Sequence, residues 1–133
     1  MAIVIQYVKC NVMTKKILIV DDNEFMVEVM SHILLNKGYD VIALYEGNAV
    51  IDHIRTDHPD LVILDMQLPD ADGRDICKEI KLNRETKNLP VILCTGNEDF
   101  RLSIKRQESP DDVLHKPFDV DSLVNMVAVQ LAA

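Results

Sequence analysis

Nowhere in the 133 residues is there a run of lysine or arginine, and 14 basic side chains stand against 22 acidic ones for a formal charge of −8. The electrostatic footprint of a nucleic-acid binder is therefore missing, and an anionic membrane surface would repel the chain. Only three cysteines occur, Cys10, Cys77 and Cys94. They form no C-x-x-C pair and no Cys/His ligand pattern, which argues against a disulfide framework or a zinc module and fits a reducing cytoplasm. No apolar stretch has the length of a membrane span. Residues 2–8 are apolar but short, with no charged lead and no small-residue cleavage site, so neither a span nor a signal peptide is expected. Internal repeats, low-complexity tracts and linkers are also missing.

What is present is a globular composition, 48% hydrophobic and 27% charged, in a length that suits one domain. Met13-Thr14-Lys15-Lys16 resembles a natural beginning ahead of the first strand. Residues 1–14 are therefore read as an N-terminal extension of unknown role and 15–133 as the domain. Five short apolar runs recur at 17–20, 41–44, 61–64, 91–94 and 113–114. Each has strand length, and four are continuous rather than alternating, which suggests strands covered on both faces of a parallel sheet.

Between the runs the spacing is helical. Met26, Met30, Ile33 and Lys37 form one stripe, and Gly38 follows where a helix end favours a left-handed residue. Val50 and Ile54 precede His58-Pro59, Ile76 and Ile80 follow Gly73, and Phe100 and Ile104 precede Pro110. Asp119 can cap a last helix with Leu123, Met126, Val127 and Leu131 on its apolar side. Five strands alternating with five helices predict right-handed crossovers and a doubly wound α/β sheet. Ligands of such sheets bind beyond the carboxyl ends of the strands.

The residues at those ends are Asp21-Asp22 after the first run, Asp65 after the third, Thr95 after the fourth and Lys116 after the fifth. Three ionised carboxylates in one pocket repel by roughly 4 kcal/mol per pair at 4 Å and an effective dielectric near 20, more than one lysine offsets. An oxygen-only donor set without His or Cys favours a hard ion, and Mg2+ is expected. A carboxylate flanked by such positive charge can act as a nucleophile toward phosphorus. Thr95 can reach a new phosphoryl group, and Gly96 leaves a backbone N–H unobstructed.

The segments Ile17-Leu18-Ile19-Val20-Asp21-Asp22-Asn23, Leu64-Asp65-Met66-Gln67-Leu68-Pro69 with Asp72-Gly73, Cys94-Thr95-Gly96, and His115-Lys116-Pro117-Phe118 together resemble the receiver (CheY-like) domain of two-component response regulators. The resemblance runs from about Lys16 to Leu131. It implies a flavodoxin-like sheet of order 2-1-3-4-5 and Asp65 as the phosphoacceptor. Mg2+ would be held by Asp21, Asp22, Asp65 and the Gln67 backbone carbonyl, with Asp21 acting mainly through water, while Thr95 and Lys116 sense the phosphoryl group. A cis Lys116-Pro117 bond is implied as well. Gln67 and Asn97 look like the positions that tune hydrolysis. One departure stands out: Val113 replaces the aromatic residue that relatives commonly carry three positions before the lysine, so the usual aromatic switch is not expected.

As the resemblance implies, a sensor histidine kinase or phosphotransfer protein would donate the phosphoryl group. Such a chain is a phosphoacceptor that catalyses its own phosphorylation and slow dephosphorylation, not a turnover enzyme. Its output would pass through a downstream protein or an onward phosphorelay, as a monomer or weak dimer, using residues 97–107, the last strand and the last helix. Taken singly, Asp21-Asp22 is more often a helix cap than a metal site, and Asp70 and Asp72 read as solvated loop residues. His32, His53, His58 and His115 lack partner spacing for metal or phosphohistidine chemistry. Two other classes compete. A phosphatase of the haloacid dehalogenase type needs a second acid where Gln67 stands. A pseudo-receiver would have lost site residues that are all present here.

Overall fold

The computed structural model describes residues 14–96 and 108–132. The five apolar runs become strands β1 (Lys16–Val20), β2 (Asp40–Leu44), β3 (Leu61–Asp65), β4 (Val91–Thr95) and β5 (Asp112–His115). They form one parallel sheet of order β2-β1-β3-β4-β5. Four helices lie among the described residues: α1 (Glu24–Asn36), α2 (Val50–Asp57) after a short 3-10 turn (Gly47–Ala49), α3 (Gly73–Leu82) and α4 (Val120–Ala132). The fifth helix expected around Phe100 and Ile104 falls outside the described residues.

Alternation along the strands divides the core into two layers, because successive side chains point to opposite faces. Ile17, Ile19, Ile63 and Cys94 pack with Val27, Met30 and Leu34 of α1 and with Leu123 and Val127 of α4. Leu18, Val20, Leu64 and Leu93 pack on the other face with Val50 and Ile54 of α2 and with Ile76, Cys77 and Ile80 of α3. β3 and β4, at the middle of the sheet, are buried throughout, and β1 nearly so. β2 departs from the expectation of double cover: Asp40 and Ala43 are exposed, because β2 is an edge strand flanked on one side only.

Helix boundaries follow local chemistry. Asn23 caps α1 by accepting the Met26 N–H at 3.1 Å, and Asp72 caps α3 by accepting the Arg74 N–H at 2.9 Å. Asp119 accepts the Ser122 N–H at 2.7 Å at the start of α4. α1 ends at Asn36 and the chain leaves it through Gly38, whose φ of +93° suits glycine, with Gly38 N–H bonded to Leu35 O and Tyr39 N–H to Leu34 O. The stripe expected on α1 is rotated: Val27, Met30 and Leu34 are buried, Met26 and Ile33 are half-buried, and Lys37 lies beyond the last turn. Apolar residues surround most of this helix, so spacing alone does not single out the core face.

Candidate functional site

The strands deliver their terminal residues to one edge. Asp21 leaves β1 with its N–H still bonded to Leu44 O (3.1 Å), and its Oδ1 accepts the Asn23 N–H (3.0 Å). The side chain is thus fixed from behind and is 1% exposed, while Asp22 next to it faces solvent. Asp65 ends β3 and is 7% exposed. Lys116 follows β5, its N–H bonded to Thr95 O at 2.7 Å, and its Nζ donates to Asp21 Oδ2 at 2.8 Å and to Asp65 Oδ1 at 3.1 Å. Carboxylate oxygens of Asp21, Asp22 and Asp65 lie within 4.8 Å of one another. The Lys116–Pro117 peptide is cis.

Thr95, at the end of β4, is buried beside this cluster in sequence register, one residue past the Cys94 that pairs with Asp65. Gln67 sits in the loop after β3, exposed and bridged to Asp72. Gly96 is exposed, and a Cβ built on it meets nothing within 4 Å among the described residues. Val113 is half-buried in β5 opposite Leu93. Asn97 lies outside the described residues.

Three carboxylates and one ammonium leave two net negative charges in this pocket. Burial raises the Asp65 carboxyl above its usual range, the charges of Asp21 and Asp22 raise it further, and the Lys116 ammonium only partly offsets them. Burial works against the Lys116 ammonium, but hydrogen bonds and charges from Asp21 and Asp65 outweigh it and the net shift is upward. This is a donor set of hard oxygens with excess negative charge, and it could hold a divalent metal ion. Cys94, behind the cluster, is pushed up to about 12 by burial, so its thiol stays protonated and offers no soft ligand.

The loop after Asp65 is clamped by contacts that sequence reasoning missed. Asp70 and Asp72 are not merely solvated. The Asp70 carboxylate accepts the N–H groups of Gly47 (2.9 Å) and Asn48 (2.8 Å), which hold its carboxyl below the usual range. Asp72 caps α3 and pairs with Arg74. Gly47 and Gly73 are sites of close approach: a Cβ on Gly47 would lie 2.9 Å from Ala71 and Ile76 side chains, and one on Gly73 would lie 2.2 Å from Asp65 O. The D-x-D-G spelling of the loop was the available signal, but Asp70 meets its partners 22 and 23 residues away, beyond the reach of local pattern.

Comparison with known proteins agrees with this geometry. The family model described as response regulator receiver domain matches residues 17–128. A protein of Chloroflexus aurantiacus J-10-fl assigned as a response regulator shares 32% identity, with a TM-score of 0.82, over 91% of this chain and all of that one. The signal receiver domain of a signal transduction histidine kinase from Syntrophus aciditrophicus shares 30% identity over 90% of this chain and 91% of that one, TM-score 0.78. The chemotaxis response regulator CheY4 of Vibrio cholerae, at 23% identity and TM-score 0.79 over 90% of this chain and all of that one, shares the fold.

Proposed function

Because the chain belongs to the response regulator receiver family, whose members are phosphoacceptors of two-component signalling, we propose that Asp65 takes a phosphoryl group from a phosphohistidine donor. The donor would be a sensor histidine kinase or a phosphotransfer protein. An Asp65 carboxylate oxygen forms the new O–P bond while the P–N bond to the donor imidazole breaks and its electron pair stays on that nitrogen. Asp65 enters this reaction largely desolvated and held in place by Lys116, so little reorganisation precedes attack.

The cluster of Asp21, Asp22 and Asp65, joined by the Gln67 carbonyl, would hold Mg2+, which when bound neutralises charge on the transferring oxygens. Lys116 supplies a second positive charge and exchanges its contact with Asp65 for the phosphoryl oxygens. Thr95 offers its hydroxyl to the same group from the end of the adjacent strand, and Gly96 leaves the approach of water open. Gln67, and by its sequence position Asn97, would tune hydrolysis. Output passes by protein contact or onward phosphorelay in the cytoplasm, from a monomer or weak dimer, with Val113 in β5 where relatives commonly carry the switch aromatic.

The observation that carries this reading is the Lys116 ammonium bridging two buried carboxylates of a three-carboxylate cluster. The test is the intact mass of the purified protein after incubation with acetyl phosphate and Mg2+, beside Asp65→Asn. One phosphoryl adduct on the parent alone, and none when EDTA withholds Mg2+ during the incubation, supports it. A folded parent without adduct would establish a pseudo-receiver instead.

A further inference from the structure

Lys116 follows directly on β5, which pairs with β4 alone among the described residues. The strand is four residues long, and only Leu114 in it is fully buried. With so little of the strand buried, few core contacts define its register, and a one-residue slip would turn its side chains to the opposite face. The start of β5 is held from outside the sheet. Lys81, in the last turn of α3 with its side chain 8% exposed, donates from Nζ to Asp111 Oδ2 at 2.6 Å, to Leu89 O at 2.8 Å and to Lys87 O at 3.3 Å. The same Asp111 oxygen accepts the Val91 N–H at 2.8 Å, and the Asp111 N–H donates to Val91 O at 2.8 Å. Asp111 thereby grips the first residue of β4 on both sides, and Lys81 locks that grip to α3. The other end of α3 is Gly73, pressed against the Asp65 carbonyl. One rigid helix therefore references both Asp65 and the entry to the strand that carries Lys116.

We propose that Lys81 and Asp111 are positioning residues for Lys116, setting the register of β5 so that the ammonium reaches Asp21 and Asp65. The consequence for phosphoryl transfer rests on the function proposed above; the consequence for Lys116 itself does not. Two readouts separate them: the rate of phosphoryl adduct formation with acetyl phosphate and Mg2+, and the 15N-detected signal of the Lys116 ammonium in the unphosphorylated protein. Lys81→Met is expected to shift or broaden that signal and to slow adduct formation on the order of tenfold, as sub-ångström to 1 Å misplacements do. Lys81→Arg, which keeps a donor for Asp111, should restore both. In a Lys116→Ala background the same Lys81→Met change should alter the rate less than about twofold, because coupled residues are not additive. Asp111→Asn, close in volume to the parent, serves where Lys81→Met does not fold. A parent that forms no adduct would defeat the proposed function while the ammonium signal still decides the positioning role. An unmoved ammonium signal in variants whose melting temperature has fallen would show a brace that is only structural, and so would equal rate losses in the two backgrounds.

Discussion

Asp65→Asn removes one of three negative charges that share a single ammonium, so the metal-free variant is expected to be more stable than the parent. Each carboxylate pair, with oxygens within 4.8 Å, repels by about 3 kcal/mol at an effective dielectric near 20. Lys116, at 3.1 Å from Asp65, returns roughly 5 kcal/mol on the same scale. The repulsions and the attraction nearly cancel, so burial, the largest cause of the raised Asp65 pKa, tips the balance against the ionised form. Asp22 is exposed and screened, which reduces the expected gain to about 1 kcal/mol, or roughly 3–5 °C in Tm for a domain of this size.

A carboxylate whose folded pKa is raised contributes its stability below the ordinary value of 3.8 and loses it as pH climbs through the folded value. The gap between variant and parent should therefore close near about pH 4 and open toward neutrality. Mg2+ reverses the order, since an ion that binds only the folded parent adds about 2.7 kcal/mol at one hundred times its Kd. Urea unfolding in EDTA at acid and neutral pH, then with Mg2+, measures all three. A variant less stable than the parent in EDTA at neutral pH would refute the electrostatic reasoning.

Gly73→Ala forces a Cβ to within 2.2 Å of Asp65 O, so the phosphoacceptor or the start of α3 must move by about 1 Å. We expect a loss of about 1–3 kcal/mol in urea unfolding and a fall in adduct formation approaching a hundredfold; parental values for both would mean that the close approach is inconsequential. Asp70→Ala should expose the Gly47 and Asn48 amides to faster hydrogen exchange. Because those N–H groups hold the Asp70 pKa down, this tie should also weaken in the parent as pH falls through the carboxylate range, and exchange rates that ignore both changes would count against the clamp. Gly96→Ala or Gly96→Met should slow dephosphorylation, because a Cβ there meets nothing within 4 Å among the described residues and would cover the approach to the acyl phosphate; an unchanged decay rate removes that idea.

The strands were legible in the sequence to within one residue because parallel strands in the interior are unbroken apolar runs bounded by polar residues. The converging cluster was legible for the same reason: in this topology the residue after each run must reach one edge, so Asp21, Asp65 and Lys116 could be placed together without coordinates. Periodicity did less well on α1, where Phe25, Val29 and Leu35 are exposed apolar residues that blur the stripe and hid Val27 and Leu34 as its core positions. Nothing local marks Asp111 or Lys81, and the D-x-D-G spelling does not reveal the partners of Asp70, because all three meet groups from distant segments set by tertiary packing. Gly47 and Gly73 likewise owe their role to what lies against them, which spacing does not encode.

The most direct test of the central assignment is to trap the acetyl-phosphate adduct with borohydride, which converts an aspartyl phosphate to homoserine, and to map the product by peptide sequencing in the mass spectrometer. Homoserine at position 65 alone is the expected result. Homoserine at position 21 or 22, or an adduct that persists in Asp65→Asn, would contradict it.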